Sequence, residues 1–244
     1  MRLANIQRIL RGSPWPSGMK EKKNLKATMM GKSPIQWFYE KGFLNERMIL
    51  SHCVHVDEKD IDLIAETRAG VVNTPFSEMR LADGVAPIPE MLQKGILVCL
   101  GTDGGALNTA GDIFYEMKQI CLLHSVSSGN PKAITPLQAL KMATVFPARM
   151  FKQNSGMIAV GKAADIILLD QNNFAMLPVI KRPFNNIISS IVYSGSGNQV
   201  TDTIINGRVV MRDRKLITVN EEKIIAELNE AVEEITSKYD ANEW

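Results

Sequence analysis

Ile96-Leu97-Val98-Cys99-Leu100 leads directly into Gly101-Thr102-Asp103-Gly104, so an apolar, β-rich stretch ends in one carboxylate between glycines. Continuous apolar runs of this kind are typical of buried parallel strands. In an α/β barrel, the groups that carry chemistry follow the carboxyl ends of the strands. The stretch therefore predicts a parallel strand over residues 96–101, with Asp103 at the mouth of the sheet.

A second apolar run, Met48-Ile49-Leu50, ends in Ser51-His52-Cys53-Val54-His55. It predicts a strand over residues 48–52. This strand places His52 at its end, just as the first strand places Asp103. Imidazole and carboxylate side chains in such positions are the parts of a metal-dependent hydrolase. His52 is the stronger candidate of the two histidines, and we expect His55 to point elsewhere.

Helices are predicted around these strands by capping residues, first-turn prolines and apolar side chains at a helical period. The alternation of strands and helices favours a parallel sheet with helical crossovers, an α/β fold. The expected order is helix 34–40, strand 48–52, helix 58–68 ended by Gly70, strand 71–73, loop 74–85, helix 87–95, strand 96–101, a helix capped by Asp112, and a helix opened by Thr135-Pro136 with Leu137, Leu140 and Ala143 facing inward.

The pattern changes near Ser155-Gly156, where short β-rich runs replace the alternation. Strands are expected over residues 164–169, 187–193 and 200–205, and the Asn206-Gly207 pair predicts a hairpin. From Glu221 onward, apolar residues at helical spacing predict an amphipathic helix docked on the surface. The expected divisions are a basic, irregular segment 1–32, a partial barrel 33–153, a small β unit 156–216 and a C-terminal helix 219–240.

Composition limits the partners that we expect. The net charge of +2 is uneven, because residues 1–33 carry eight Lys/Arg and one acid, a net of +7, whereas the remainder carries −5. The basic run Lys20–Lys23 has no interleaved aromatic residues, so we expect no nucleic-acid partner. No apolar run approaches the length of a membrane span, so we expect no membrane partner. Three cysteines without paired spacing favour reduced thiols and a cytoplasmic location.

Five ordered motifs resemble one known family. Residues 51–58 resemble the strand-six motif of the amidohydrolase superfamily, residues 73–87 the motif that follows, and residues 100–104 the strand-eight motif. Residues 135–150 and 156–170 resemble the next helix and the β-sandwich. The similarity runs from about Gly31 to Leu216. It is nearest to the C-terminal part of methylthioadenosine/S-adenosylhomocysteine deaminases, relatives of guanine deaminase and chlorotriazine hydrolases.

The resemblance implies an incomplete TIM (β/α) barrel, about its last half, followed by a small β-sandwich-like unit and a C-terminal helix. It also implies a divalent metal, zinc first and iron or manganese as alternatives, which activates water to deaminate a small purine-like or triazine ring. By position, Asp103 resembles the metal ligand and proton shuttle of the family. His52 resembles the catalytic histidine that contacts the attacking water.

The sequence departs from the family pattern at most metal ligands. No histidine precedes His52, so the His-x-His pair, the strand-five histidine and the His-x-x-Glu acid have no counterparts. Asn73 stands where a histidine is frequent, and Glu78 replaces a common asparagine. A single carboxylate does not hold a catalytic divalent metal tightly, so we expect the isolated chain to be inactive.

Three interpretations of these departures remain open. In the first, a missing N-terminal half encoded elsewhere completes the enzyme. In the second, the chain is a non-catalytic module that forms a homo-oligomer or binds another protein. In the third, it is a decayed reading frame.

Overall fold

A computed structural model describes residues 31–105, 108 and 110–237, so the expectation for segment 1–32 falls almost wholly outside the described residues. The described elements, numbered in chain order, are α1 (Pro34–Glu40), β1 (Ile49–Ser51), α2 (Glu58–Thr67), β2 (Gly70–Asn73), α3 (Pro75–Arg80), α4 (Ile88–Gln93), β3 (Val98–Leu100), α5 (Ile113–Ser128), α6 (Pro136–Ala143), α7 (Val145–Met150), β4 (Ile166–Leu169), α8 (Ile187–Ser194), β5 (Val200–Ile205), β6 (Arg208–Arg212), β7 (Lys215–Leu216) and α9 (Glu221–Thr236).

The first sheet is parallel and has the strand order β1-β2-β3. Leu50 pairs with Val71, and Val71 pairs with Val98. All three side chains are fully buried, so each strand contributes to one hydrophobic core. Strands that alternate with helices and pair in parallel establish the α/β fold that the apolar runs predict.

Helix starts follow the sequence signals closely. Asp57 caps α2 and Thr135 caps α6, each in a reciprocal capping box with the residue three positions later. The end of α2 differs from the expectation, because Arg68 adopts the left-handed conformation there with φ 56°. Gly70 opens β2 instead, and a Cβ at this glycine would lie 2.7 Å from the Met150 side chain of α7. Gly70 therefore allows α7 to pack closely on the sheet.

One expectation within this α/β region is wrong and another is confirmed only in part. Residues 75–80 of the expected loop form helix α3, opened by a proline in its first turn. On α6, Leu140 and Ala143 pack against the core as expected. Leu137 is exposed instead, and Met142 is fully buried.

Strands β4 to β7 form a four-stranded antiparallel sheet in sequential order. The Asn206-Gly207 pair connects β5 to β6 as predicted, with both residues at positive φ. The strand expected over residues 187–193 is wrong, because these residues form helix α8. Val192 of α8 is fully buried, and Ile191 and Tyr193 pack against the main core. Residues 187–194 therefore belong to the helical layer near α5 and α6.

The C-terminal helix forms as predicted but is not docked. None of the sixteen described residues of α9 is buried. Its apolar stripe is about half exposed at Ile224, Leu228 and Val232. The apolar spacing correctly predicts a helix, but spacing alone does not tell whether a partner surface is present. Among residues 31–105, 108 and 110–237, no helix combines the length and the apolar character that a membrane crossing requires.

Candidate functional site

The candidate site lies where the three parallel strands end. His52 follows β1 directly, Thr74 follows β2 directly, and Asp103 lies three residues beyond the end of β3. Backbone hydrogen bonds continue the pairing past the strand ends, from His52 N to Val72 O at 2.8 Å and from Gly101 N to Asn73 O at 3.0 Å. Because parallel strands end at the same edge of a sheet, these side chains come together there.

The structure brings the two predicted site residues next to each other. The Nε2 atom of His52 lies 4.0 Å from an Oδ atom of Asp103. The His52 side chain is only 4% exposed, and that of Asp103 is 15% exposed. An almost buried imidazole therefore faces a carboxylate that remains accessible to a small molecule.

Both residues have an unusual backbone conformation. His52 has φ 67° and Asp103 has φ 60°, in the left-handed region that non-glycine residues seldom adopt. Such conformations cost free energy and cluster at functional sites, where the surrounding structure enforces them. The turns after β1 and β3 thus aim these two side chains at each other at a cost in backbone strain.

The far side of the His52 ring is held by buried polar groups. Its Nδ1 atom lies 2.9 Å from Thr74 Oγ1 and 3.4 Å from an Oε atom of Glu78. The Glu78 carboxylate accepts hydrogen bonds from Asn73 Nδ2 at 2.7 Å and from Thr74 N at 3.1 Å. Partners on one ring nitrogen fix the ring and direct the other nitrogen. Here they direct Nε2 toward Asp103.

The Asp103 carboxylate is held through both of its oxygens. Ser77 Oγ donates to Oδ2 at 2.7 Å, and the Gly104 backbone N–H donates to Oδ1 at 2.7 Å. Ser77 is 1% exposed and lies in helix α3. The orientation of Asp103 is therefore set by the same short helix that presents Glu78 to His52.

Sequence reasoning missed the positioning roles of Thr74, Ser77 and Glu78. Asn73 and Glu78 are noticed only as departures from the family pattern, although they pair with each other. Two departures five residues apart, one an amide and the other an acid, are a signal that could have revealed this contact.

The other candidate groups lie elsewhere or are inert. His55 is exposed, and His124 is buried on α5, where burial lowers its pKa. Cys53, Cys99 and Cys121 are free and buried. Burial raises the pKa of every one of these thiols, to about 11 at Cys121, so they are not thiolates at neutral pH.

A metal ion does not fit the residues that the structure describes. Within residues 31–105, 108 and 110–237, no group of three or more His, Cys, Asp and Glu side chains is arranged to hold one. Asp103 and His52 supply two donors of the kinds that zinc uses, whereas catalytic zinc sites use three protein ligands and water. A metal at this edge would need ligands from polypeptide beyond these residues.

The chain is similar to known proteins over most of its length. Residues 20–210 match the model of the amidohydrolase family. The 5′-deoxyadenosine deaminase of Methanosarcina acetivorans is 38% identical over 211 residues, 86% of this chain and 48% of that protein. The 5-methylthioadenosine/S-adenosylhomocysteine deaminase of Pelotomaculum thermopropionicum is 38% identical over 81% of this chain and 45% of its own length.

Solved structures show the same fold. An adenosine deaminase from Xanthomonas campestris with bound zinc superposes with a TM-score of 0.81 at 28% identity, covering 87% of this chain and 48% of that one. Atrazine chlorohydrolase from Arthrobacter aurescens, with a TM-score of 0.78 at 23% identity, covers 86% of this chain and 46% of its own and supports the fold alone.

The chain thus spans about half the length of these relatives. Its family match nevertheless includes β1 to β3 and both candidate site residues. On this evidence, the chain belongs to the amidohydrolase family.

Proposed function

We propose that this chain contributes Asp103 and His52 to the site of a hydrolase that deaminates the purine ring of a small adenosine-like substrate. The observation that carries the proposal is the 4.0 Å approach of His52 Nε2 to the Asp103 carboxylate at the strand ends. The deaminase names of the relatives support the reaction type, and 5′-deoxyadenosine is the substrate class to test first.

The geometry suits proton transfer around one attacking water. Two polar atoms 4.0 Å apart both lie within hydrogen-bond reach, about 2.8 Å, of a single oxygen atom placed between them. In hydrolytic deamination, a water oxygen adds to the amino-bearing ring carbon, and the carbon–nitrogen bond then breaks to release ammonia. Asp103 accepts the proton that the water loses and delivers it to the departing amino group, in the manner of a general base and acid.

His52 completes this arrangement from the opposite side of the water. Its Nε2 atom hydrogen-bonds the water oxygen and then the oxygen that becomes attached to the ring. The contacts at Nδ1 with Thr74 and Glu78 keep the imidazole in this orientation throughout. The role of this chain is thus to hold the water and to move one proton, and no step is assigned to a metal.

The rest of the site is proposed to come from polypeptide outside the described residues. Three parallel strands form an open sheet, whereas the barrel fold has eight. In this proposal, further strands extend the sheet into a barrel and bring the ligands for the divalent metal that the family uses. The half-length match to the relatives supports this proposal.

Fragment complementation tests the proposed function. The purified chain is mixed with the part of the M. acetivorans deaminase that it does not match, and ammonia release from 5′-deoxyadenosine is measured with added zinc. We expect ammonia from the mixture, none from either part alone, and a greatly reduced rate after Asp103→Asn. Asp62→Asn, at an exposed acid paired with Lys94, is the matched control and leaves the rate unchanged. Equal rates for Asp103→Asn and the unmodified chain would contradict the proposal.

A second candidate function is a non-catalytic module that binds a second copy of the chain or another protein. The exposed apolar stripe of α9 favours it, because contiguous exposed apolar surface is typical of interaction sites. Sedimentation equilibrium tests self-association directly. A dimer that dissociates after Leu228→Glu supports this candidate, and a monomer at all concentrations argues against self-association.

A further inference from the structure

Glu116, in the first turn of α5, is fully buried and is not one of the groups that face the reacting water. One of its carboxylate oxygens accepts a hydrogen bond from Phe76 N at 3.1 Å. The other accepts from Asn108 Nδ2 at 2.5 Å. We propose that Glu116 is the positioning residue that sets the separation of Asp103 and His52. The catalytic meaning of this separation rests on the proposed function, whereas the positioning itself does not.

The two partners of Glu116 belong to the two segments that position the site. Phe76 lies in α3 directly before Ser77 and Glu78, which contact Asp103 and His52 respectively. Asn108 lies in the segment that follows Asp103, and its backbone N–H donates to Gly104 O at 3.1 Å. One carboxylate therefore joins the turn after β3 to the helix after β2.

The two donors that contact Glu116 require an acceptor at each of its carboxylate oxygens. The Phe76 N–H can only donate. The Asn108 side chain is oriented by its own Oδ1, which accepts from Gly111 N at 3.2 Å, so its amino group faces Glu116. A carboxylate satisfies both donors at once, whereas an amide of the same shape would satisfy one and turn its own N–H₂ toward the other.

Glu116 is an unfavourable choice for stability alone. Burial, together with the nearby charges of Glu78 and Asp103, raises its pKa to about 7 against the effect of the two donors. An apolar side chain would avoid this cost of burying a charge. Residues that violate the rules of stable packing are expected at functional sites, where positioning is the compensating gain.

The helix that carries Glu116 is anchored at its N-terminal end. Helix α5 has sixteen residues, and Asp112 caps it by accepting from Phe114 N at 2.9 Å. The same Asp112 carboxylate accepts from Gly197 N at 2.7 Å, which ties the start of α5 to the segment before β5. Displacement of Glu116 relative to the sheet is thus opposed at the helix end where it lies.

The test reads the His52 ring directly, in the chain as it exists. The chain is labelled with ¹⁵N at its three histidines, and the imidazole nitrogen signals are recorded for the unmodified chain and for Glu116→Gln. We expect the His52 signals to move, because α3 and the turn after β3 lose one shared contact. His124, two turns further along α5, should keep its signals if the helix is intact.

A compensating pair separates positioning from general damage. Combining Glu116→Gln with Asn108→Asp gives the new amide an acceptor where it needs one, while Gly111 N keeps its partner. We expect the His52 signals to return to their original positions. Asp165→Asn, which alters a carboxylate that accepts from Asn206 N at the hairpin between β5 and β6, is the control and leaves His52 unaffected. If Glu116→Gln fails to fold, Asn108→Ala removes the same bond and should displace the same signals.

The rate of ammonia release is then measured in the mixture of this chain with the unmatched part of the M. acetivorans deaminase. Misplacement of a reacting group by about 1 Å costs up to about 10²-fold in rate, so we expect Glu116→Gln to lower kcat by about tenfold or more with KM little changed. The double variant should recover most of this loss. Unmoved His52 signals in a folded Glu116→Gln chain, or displaced signals that the double variant does not restore, would overturn the inference. Displaced and restored signals without deaminase activity in any mixture would uphold the positioning and overturn the proposed function.

Discussion

Asp103 and His52 face each other at 4.0 Å, and each is held by one of two consecutive residues of α3. Ser77 donates to the Asp103 carboxylate, and Glu78 lies against the far side of the His52 ring. A helix of six residues thus sets the orientation of side chains from two different strand ends. Changes in α3 should therefore affect both groups together.

Ser77→Ala should loosen the Asp103 carboxylate while leaving the fold intact. The loss of one hydrogen bond to a charged group predicts a decrease of about 1.5–3 kcal/mol in the free energy of unfolding, measured by urea denaturation. Ser189→Ala, in α8, is the matched control, because its hydroxyl donates to Asn186 O just before this helix, far along the chain from the strand ends. Equal, small decreases in the free energy of unfolding for both variants would argue against a special role of Ser77.

The contact between Asn73 and Glu78 should behave as one unit. Removal of either side chain leaves buried polar groups unsatisfied, which costs about 1–3 kcal/mol for each such group. We expect Asn73→Ala and Glu78→Ala each to destabilise the fold, and the double variant to lose less than the sum of the two. A double-mutant cycle by chemical denaturation measures this coupling. Strict additivity would show that the two side chains do not depend on each other.

The sequence predicts the strand ends well because their determinants are local. Apolar runs fix β1 and β3, and the parallel topology then brings His52 and Asp103 to one edge. It does not predict α3, because six residues are too few to show a helical period. Residues 187–194 are rich in β-branched side chains, yet packing on α5 and α6 selects a helix. Tertiary contacts outweigh intrinsic preference there.

The sequence does not reveal the contacts of Glu116 for a different reason. The sequence shows it three residues after Ile113 and four residues before Ile120, on the same apolar helix face. An acid on an apolar helix face indicates a buried polar contact, but the pattern does not identify its partners. Phe76 is distant in the sequence, and Asn108 lies outside the regular helices and strands. Only the folded arrangement shows that both partners are donors.

Glu116 should also leave a signature in the pH dependence of stability. Its pKa rises from 4.5 to about 7 on folding, so the native state binds this proton more tightly than the unfolded state. The contribution of Glu116 to the free energy of unfolding therefore falls as the pH rises from about 4.5 to about 7, by about 3 kcal/mol in total. His124, whose pKa is lowered by burial, acts in the opposite direction but is common to both variants.

The measurement is urea unfolding of the unmodified chain and of Glu116→Gln between pH 4 and pH 8. We expect the advantage of the unmodified chain over the variant to shrink across this range. A difference in unfolding free energy that stays constant with pH would show that Glu116 titrates in the same way in both states.

The exposed helix α9 should tolerate substitution of its apolar stripe. Leu228 is 61% exposed, so Leu228→Glu should change the free energy of unfolding of the isolated chain by about 0.5 kcal/mol or less. Leu50→Ala in β1, where the side chain is fully buried, should cost about 2–5 kcal/mol. Thermal unfolding of dilute protein compares the two. A large loss for Leu228→Glu would show that α9 packs against something in solution.

The most direct test is a kinetic double-mutant cycle on Asp103 and His52 in the complemented mixture. Groups that act on one water as a unit give non-additive losses, so removing both should cost about as much as removing either alone. We predict that Asp103→Asn, His52→Gln and the double variant release ammonia from 5′-deoxyadenosine at similarly low rates. Losses that multiply in the double variant, or a single variant that keeps the full rate, would contradict a shared reaction centre.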